Sequence, residues 1–164
     1  MSSLTAAVIS ELTDRKLTIA VAESLTGGLL VAELIRPAGA SAAVLGGVVA
    51  YNTELKHSLL GVDAALLAEH GAVHPEVARQ LAAGVRSRLA VGGRAADIGI
   101  ATTGVAGPDP QDGVAPGTVY LGLSEGDVTL ARELRATGTR LEIREQTVAA
   151  AIAWLAESLE RGLG

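Results

Sequence analysis

The chain has 164 residues, a formal net charge of −5 and no cysteine. That is the size of one domain with a real hydrophobic core, and it excludes disulfides, thiolate catalysis and cysteine-ligated metals while agreeing with a reducing cytoplasm. Hydrophobic residues make up 49%, yet phenylalanine is absent and only Tyr51, Tyr120 and Trp154 are aromatic, so Ala, Val, Leu and Ile must build the core; with no stacking platform and no basic run, nucleic acid is not an expected partner.

From Leu4 to about Arg15, Leu4, Val8, Ile9 and Leu12 recur at helical spacing and predict a first amphipathic helix. Met1-Ser2-Ser3-Leu4 lacks the basic-then-apolar order of a signal peptide, so a cytoplasmic protein is expected. Leu17 to Val21 is short, apolar and β-branched, a buried strand. Leu29 to Arg36 reads as a largely buried helix stopped by Pro37. After the loop Pro37–Ser41, Val44 to Tyr51 reads as a second buried strand, its Gly46-Gly47 marking a close backbone approach or a bulge. Gly39, Gly46 and Gly47 also argue against a membrane span in this apolar stretch. Asn52 to Leu60 predicts a short helix ended by Gly61, and Asp63 caps another that stops at Gly71. His74-Pro75-Glu76 opens a longer helix to about Leu89. Ala96 to Thr103 is a third strand, and Gly117–Ser124 with Val128–Arg135 form a hairpin about Glu125-Gly126-Asp127. Thr139 and Glu142 make a capping box for the last helix. There is no repeat, linker or second domain in this pattern: residues 1–164 read as one α/β domain, a three-layer α/β/α sandwich with a mixed sheet.

Chemistry concentrates at Glu23-Ser24-Leu25-Thr26-Gly27-Gly28, where the first strand turns into a helix. Hydroxyls there stand at the carboxyl end of a sheet, beside helical N–H groups able to receive an anion or oxyanion. The alternative is that Ser24 or Thr26 merely caps the helix. Lys56, one turn into the helix after Tyr51 and Asn52, can serve Ser24 as a base if burial disfavours its charge; otherwise it is a solvated helix lysine. Thr102-Thr103-Gly104-Val105-Ala106-Gly107-Pro108 is a small-residue loop whose hydroxyls and N–H groups can hold a phosphate or amide, or else a tight loop with glycines for geometry. Arg140 and Arg144 are either a phosphate-binding pair or a solvated face paired with Glu142 and Glu145. His57, His70 and His74 are too scattered to predict a metal site, and neither a dinucleotide fingerprint nor a phosphate-binding loop motif is present.

Four stretches taken in order resemble the CinA C-terminal domain family: Ala22–Gly28, Tyr51–Lys56, Thr103–Pro108 and Gly117-Thr118-Val119. His70-Gly71-Ala72-Val73 adds to the match, which runs from about Leu12 to Leu159. The resemblance implies the three-layer fold and a nicotinamide-nucleotide amidohydrolase, converting nicotinamide mononucleotide to nicotinate mononucleotide and ammonia. It carries the family's serine to Ser24, its lysine to Lys56 and its tyrosine to Tyr51. Larger members place an N-terminal domain resembling molybdopterin-binding proteins before this one, so the chain looks like a stand-alone form. Two places depart from the family pattern: Thr139 where many members have an acidic residue, and Val114-Ala115-Pro116-Gly117 where many have Lys-Pro-Val-Gly.

On this reading Ser24 attacks the carboxamide, Lys56 moves the proton, and Tyr51 orients Lys56 or relays it. Thr26, Gly27, Gly28, Asn52, Thr103, Gly104, Ala106, Gly107 and Arg140 are the expected substrate-binding residues. No metal or cofactor is required, and a homo-oligomer is expected. The competing readings are a non-catalytic nucleotide-binding module of the same fold and a purely structural oligomerisation domain.

Overall fold

A computed structural model describes residues 2–162. Its centre is a five-stranded mixed sheet in the order β2-β1-β3-β4-β5, made of Ile19–Glu23 (β1), Val44–Val49 (β2), Ile98–Gly104 (β3), Thr118–Glu125 (β4) and Val128–Arg135 (β5). Strands β2, β1 and β3 run parallel, while β4 and β5 form the antiparallel hairpin read from the Gly126-Asp127 turn. The helices are Ser2–Asp14 (α1), Leu29–Leu34 (α2), Thr53–Leu60 (α3), Ala64–His70 (α4), Pro75–Arg88 (α5) and Arg140–Arg161 (α6).

Alternation along β1 sorts the two cores. Ile19 and Val21 join Ile98, Ile100, Leu121 and Leu123 in a cluster with α1, α2 and α6. Ala20, Ala22 and Ala101 face the other way, toward Val77, Leu81 and Val85 of α5. This second face is lined by small side chains, and it lets α5 sit on the sheet backbone to backbone. A Cβ placed on Gly99 would lie 1.9 Å from the Ala82 carbonyl oxygen, and one on Gly122 would lie 2.0 Å from that of Ala78. The phenylalanine-free composition is thereby accommodated: large aliphatics fill one face and close approach fills the other.

The side-chain caps predicted at Asp63 and Thr139 are present, and the structure adds two more, at Asn52 and His74. Asn52, Asp63, His74 and Thr139 each accept from a backbone N–H at the start of α3, α4, α5 and α6, and Thr139 with Glu142 completes the capping box. Several expected boundaries shift: β3 runs Ile98–Gly104 rather than Ala96 to Thr103, and three further expectations need correction. The first strand begins at Ile19 rather than Leu17 and continues through Glu23, because Leu17 N–H donates back to Leu12 and Thr18 is held by Asp97. α2 ends at Leu34, two residues short of Arg36. β2 ends at Val49 and is half-exposed rather than buried, because it lies at the edge of the sheet and pairs only with β1. Both meanings offered for Gly46-Gly47 apply: the β1–β2 register slips by one residue before Gly46, and a Cβ on Gly47 would lie 3.1 Å from Val31.

The chain leaves β1 on one side, through α2 to β2, and then crosses the opposite face through α5 to reach β3. The order therefore reverses at the carboxyl end of β1, where a crevice opens between neighbouring connections.

Candidate active site

Ser24 follows the last residue of β1, and its N–H donates to the Thr102 carbonyl of β3 at 3.1 Å. The next strand over delivers Lys56. The chain leaves β2 through Ala50 and Tyr51, Asn52 caps α3 through its amide oxygen (2.9 Å to Glu54 N), and Lys56 lies one turn on. Its side chain turns inward and is 1% exposed. Nζ lies 3.2 Å from Ser24 Oγ, 2.7 Å from the Ala50 carbonyl and 3.4 Å from the Tyr51 carbonyl. Burial, with no carboxylate in contact among the described residues, lowers the Lys56 pKa from 10.5 to about 8. The solvated-lysine alternative is thus excluded. So is the cap alternative for Ser24, whose Oγ faces Lys56 rather than its own turn.

The donor inventory of lysine makes this geometry chemically specific. An ammonium has three N–H groups for the three oxygens around it. The neutral amine has two, enough for the Ala50 and Tyr51 carbonyls, and its lone pair is then free to accept the Ser24 proton. The two carbonyls hold the amine in place in either state.

A cleft of about 300 Å³ opens over the pair. Ser24, Leu25 and Lys56 form one wall with Tyr51, and Thr103 to Gln111 form another, with Ala72, Val73 and Arg140 at the sides. Thr103 Oγ1 donates to the Ala72 carbonyl at 2.6 Å and ties the β3 end to the segment before α5. Arg140, the first residue of α6, spans the mouth: Nη1 meets the Gly107 carbonyl at 2.7 Å and Nη2 the Tyr51 hydroxyl at 2.8 Å.

Of the residues expected from sequence, Ser24, Lys56, Tyr51, Thr103, Gly104, Ala106, Gly107 and Arg140 come together around this cleft. Tyr51 does so with a different contact from the one expected. Its phenol binds Arg140, and only its main-chain carbonyl reaches Lys56. Thr26, Gly27, Gly28 and Asn52 do not line the cleft. Asn52 is spent on its cap. Thr26 is fully buried, its hydroxyl 2.8 Å from that of Thr102. The group that approaches Gly27 closely is Arg144, whose Nη2 would stand 3.3 Å from a Cβ there. Gly28 N–H donates to Glu23, together with the N–H groups of Leu30 and Val31, at 2.9–3.1 Å. The carboxylate of Glu23, 1% exposed, thus closes the start of α2 against any outside anion. Sequence reading passed over this use of Glu23, although an acidic residue beside a helix start is itself a signal. Asp109 and Gln111 also border the cleft, from a segment read only as a turn-rich loop.

Arg140 and Arg144 separate in role. Neither pairs with Glu142 or Glu145: Arg144 donates from Nε to the Leu25 carbonyl and from Nη2 to the Thr26 carbonyl, both at 2.9 Å. Among the described residues no cluster of three or more His, Asp or Glu is placed to hold a metal ion, and no helix is long and apolar enough to cross a membrane.

A mixed-sheet α/β/α domain with a serine and a buried lysine at the carboxyl edge of its parallel strands is the class of protein that this geometry defines. The chain belongs to the CinA C-terminal domain family, whose profile matches residues 1–159. It is 50% identical over 150 residues to the CinA-like protein of Frankia casuarinae, covering 92% of this chain and 34% of that protein. Against the CinA-like protein of Gemmatimonas aurantiaca it is 45% identical over 163 residues, covering 98% and 37%. The chain therefore spans about a third of the length of these curated relatives. Among solved structures, a CinA superfamily protein from Klebsiella pneumoniae matches with a TM-score of 0.90 and 34% identity over 97% of each chain. A competence/damage inducible protein from Agrobacterium tumefaciens matches at 0.88 and 34% identity, over 98% of this chain and 95% of that one.

Proposed function

We propose that the chain is a serine–lysine amidohydrolase that deamidates nicotinamide mononucleotide to nicotinate mononucleotide and ammonia. The observation that carries this reading is the buried Lys56 amine, 3.2 Å from Ser24 Oγ with no carboxylate among the described residues to hold its charge. A lysine kept only as a structural cation gains nothing from such surroundings, whereas a general base needs them.

In the first half-reaction, Ser24 Oγ bonds to the carboxamide carbon as its proton passes to Lys56. The carbonyl π pair moves onto oxygen. The C–N bond then breaks, and the Lys56 ammonium returns the proton to the departing nitrogen, which leaves as ammonia. In the second half-reaction Lys56 takes a proton from a water as it attacks the ester carbon, and delivers that proton to Ser24 Oγ as the ester C–O bond breaks. No metal or redox partner enters the balance. At the mouth, the Arg140 guanidinium and the Thr103–Gly107 loop are the groups suited to the substrate's phosphate and ribose. A cleft of about 300 Å³ is at the small end of the range for ligand sites, roughly 300–1,000 Å³, and suits a mononucleotide better than a dinucleotide.

The test is ammonia release on adding nicotinamide mononucleotide to the purified chain, with nicotinate mononucleotide identified chromatographically. Ser24→Ala should release none and keep its urea midpoint, because Ser24 Oγ caps no helix and its loss removes only the contact to Lys56. Near-normal turnover by Ser24→Ala overturns the mechanism. Saturable binding of the nucleotide by wild type without ammonia would instead identify a non-catalytic binding module.

A further inference from the structure

The turn that carries Ser24 contains two main-chain donors without a partner among the described residues. Gly27 N–H closes it on the Ser24 carbonyl at 3.1 Å, and Leu29 N–H reaches the Thr26 carbonyl at 3.2 Å. The next donors along, at Gly28, Leu30 and Val31, end on Glu23. The N–H groups of Leu25 and Thr26, the two central residues of the turn, meet no acceptor among the described residues. Yet Leu25 is 3% exposed and Thr26 0%. Buried, unpaired N–H groups are rare in folded proteins and call for a physical reason. The ordinary remedy is for the first residue of such a turn to accept these donors on its own side-chain oxygen. Ser24 is that residue, and its Oγ is turned to Lys56 instead.

The orientation of the two donors is fixed from behind. In a trans peptide, a carbonyl and the N–H of the following residue point in opposite directions. Arg144 holds the Leu25 carbonyl with Nε and the Thr26 carbonyl with Nη2, both at 2.9 Å. The first of these bonds aims Thr26 N–H away from the guanidinium. The bond from Gly27 to the Ser24 carbonyl likewise aims Leu25 N–H away from Gly27. Arg144 forms no ion pair among the described residues, so both arms of its fork are spent on this turn. It does not line the cleft.

We propose that the N–H of Leu25, which borders the cleft beside Ser24, is the oxyanion donor for attack by Ser24, and that Arg144 is a positioning residue that sets it through the Thr26 carbonyl, whose peptide carries the Gly27 N–H bonded to the Ser24 carbonyl. The proposal rests on the amidohydrolase reading only in taking Ser24 to attack a carbonyl carbon. As the Oγ–C bond forms and the π pair moves onto the carbonyl oxygen, the Leu25 N–H dipole receives the negative oxygen on the same turn that supplies the nucleophile. When the amine leaves, the pair returns and the contacts relax. A planar fork is needed to hold two neighbouring carbonyls, which a lysine ammonium at one point cannot do.

The test uses Arg144→Lys and Arg144→Ala with two readouts. One is the rate at which a fluorophosphonate modifies Ser24, followed by intact mass; this reagent needs a nucleophile and an oxyanion hole but no nucleotide. The other is kcat and KM for ammonia release from nicotinamide mononucleotide. Phosphonylation rate and kcat should fall on the order of 100-fold, the usual effect of a lost oxyanion donor, with KM within about threefold and the acid limb set by Lys56 unmoved. Added methylguanidinium should restore phosphonylation of Arg144→Ala, while methylammonium should not. Arg144→Lys at wild-type rates, a change confined to KM, or a rate loss in both variants that only follows a lowered urea midpoint overturns the proposal. Labelling of wild-type Ser24 without ammonia release removes the amidase reading and leaves the oxyanion hole standing. Absence of labelling in wild type removes both.

Discussion

In the proposed mechanism, burial alone prepares Lys56 as a base. Its amine is surrounded by a hydroxyl and two carbonyls, all without formal charge, and its pKa falls to about 8. Below about pH 8 the lysine is protonated in both folded and unfolded chains, and the folded state bears the full cost of burying the charge. Between about 8 and 10.5 the unfolded chain holds a proton that the folded one has lost, so stability rises with pH through that window. The gain is on the order of 3 kcal/mol. Lys56→Met cannot show it: its urea-unfolding free energy, set against wild type, should lose about 3 kcal/mol from neutral pH to about 10.5. The variant should also be inactive, and wild-type ammonia release should climb as pH passes about 8. An active Lys56→Met enzyme would sink the Ser24–Lys56 pair. The lysine was legible as a candidate because it followed a strand by one helical turn, but its burial was not, since that depends on neighbours brought in by the β2–β1 pairing. Tyr51 was legible for the same reason, and its phenol's partner was not, because Arg140 is 89 residues away in the chain.

At the scale of elements, the caps were the most readable feature. Asp63 and Thr139 act within two or three residues of themselves, so local sequence suffices to find them; Asn52 and His74 cap α3 and α5 in the same way, a use that sequence reading passed over. The start of β1 was less readable because Asp97, far along the chain, holds Thr18 outside the strand. The contact between α5 and the sheet is a stronger claim on the sequence than any cap. Gly99 and Gly122 sit where α5 carbonyls leave no room for a methyl group, and backbone cannot move aside as a side chain can. Gly99→Ala and Gly122→Ala should each destabilise the chain by about 1–3 kcal/mol or more, the range for overpacking. Gly92→Ala is the control, since nothing lies within 4 Å of a Cβ there and only its positive φ of 59° opposes the change. Equal urea midpoints for Gly99→Ala and wild type would contradict the close approach. The glycines were visible in the sequence; that two of them set a helix-to-sheet distance needed the register of β3 on β4.

For the whole molecule, Arg140 is the point where separate parts of the chain meet. From the first turn of α6 it reaches the connection before α3 through Tyr51 and the loop after β3 through Gly107. A nucleotide phosphate arriving at the mouth would compete with the Gly107 carbonyl and the Tyr51 phenol for the same guanidinium. Arg140→Ala should therefore raise KM for nicotinamide mononucleotide by about tenfold or more, a charge-assisted hydrogen bond being worth about 1.5–3 kcal/mol. The riboside lacking the phosphate should be much less affected. Equal losses for both would remove Arg140 from phosphate recognition. Sequence alone offered Arg140 and Arg144 as one pair; their division between the mouth and the turn arises because residues one helical turn apart face different neighbours once α6 is packed.

Glu23 bears on how binding energy is used. In strand–turn–helix sites whose helix start is open, the arriving phosphate supplies the negative charge that gathers the N–H groups. Here the protein carries that charge itself, and three donors are gathered on the Glu23 carboxylate. The loop is ordered by folding rather than by association, so little conformational entropy remains to be lost when substrate arrives. In the proposed reaction, contacts made at the cleft mouth are then free to lower the barrier to attack instead of shaping the surroundings of Ser24.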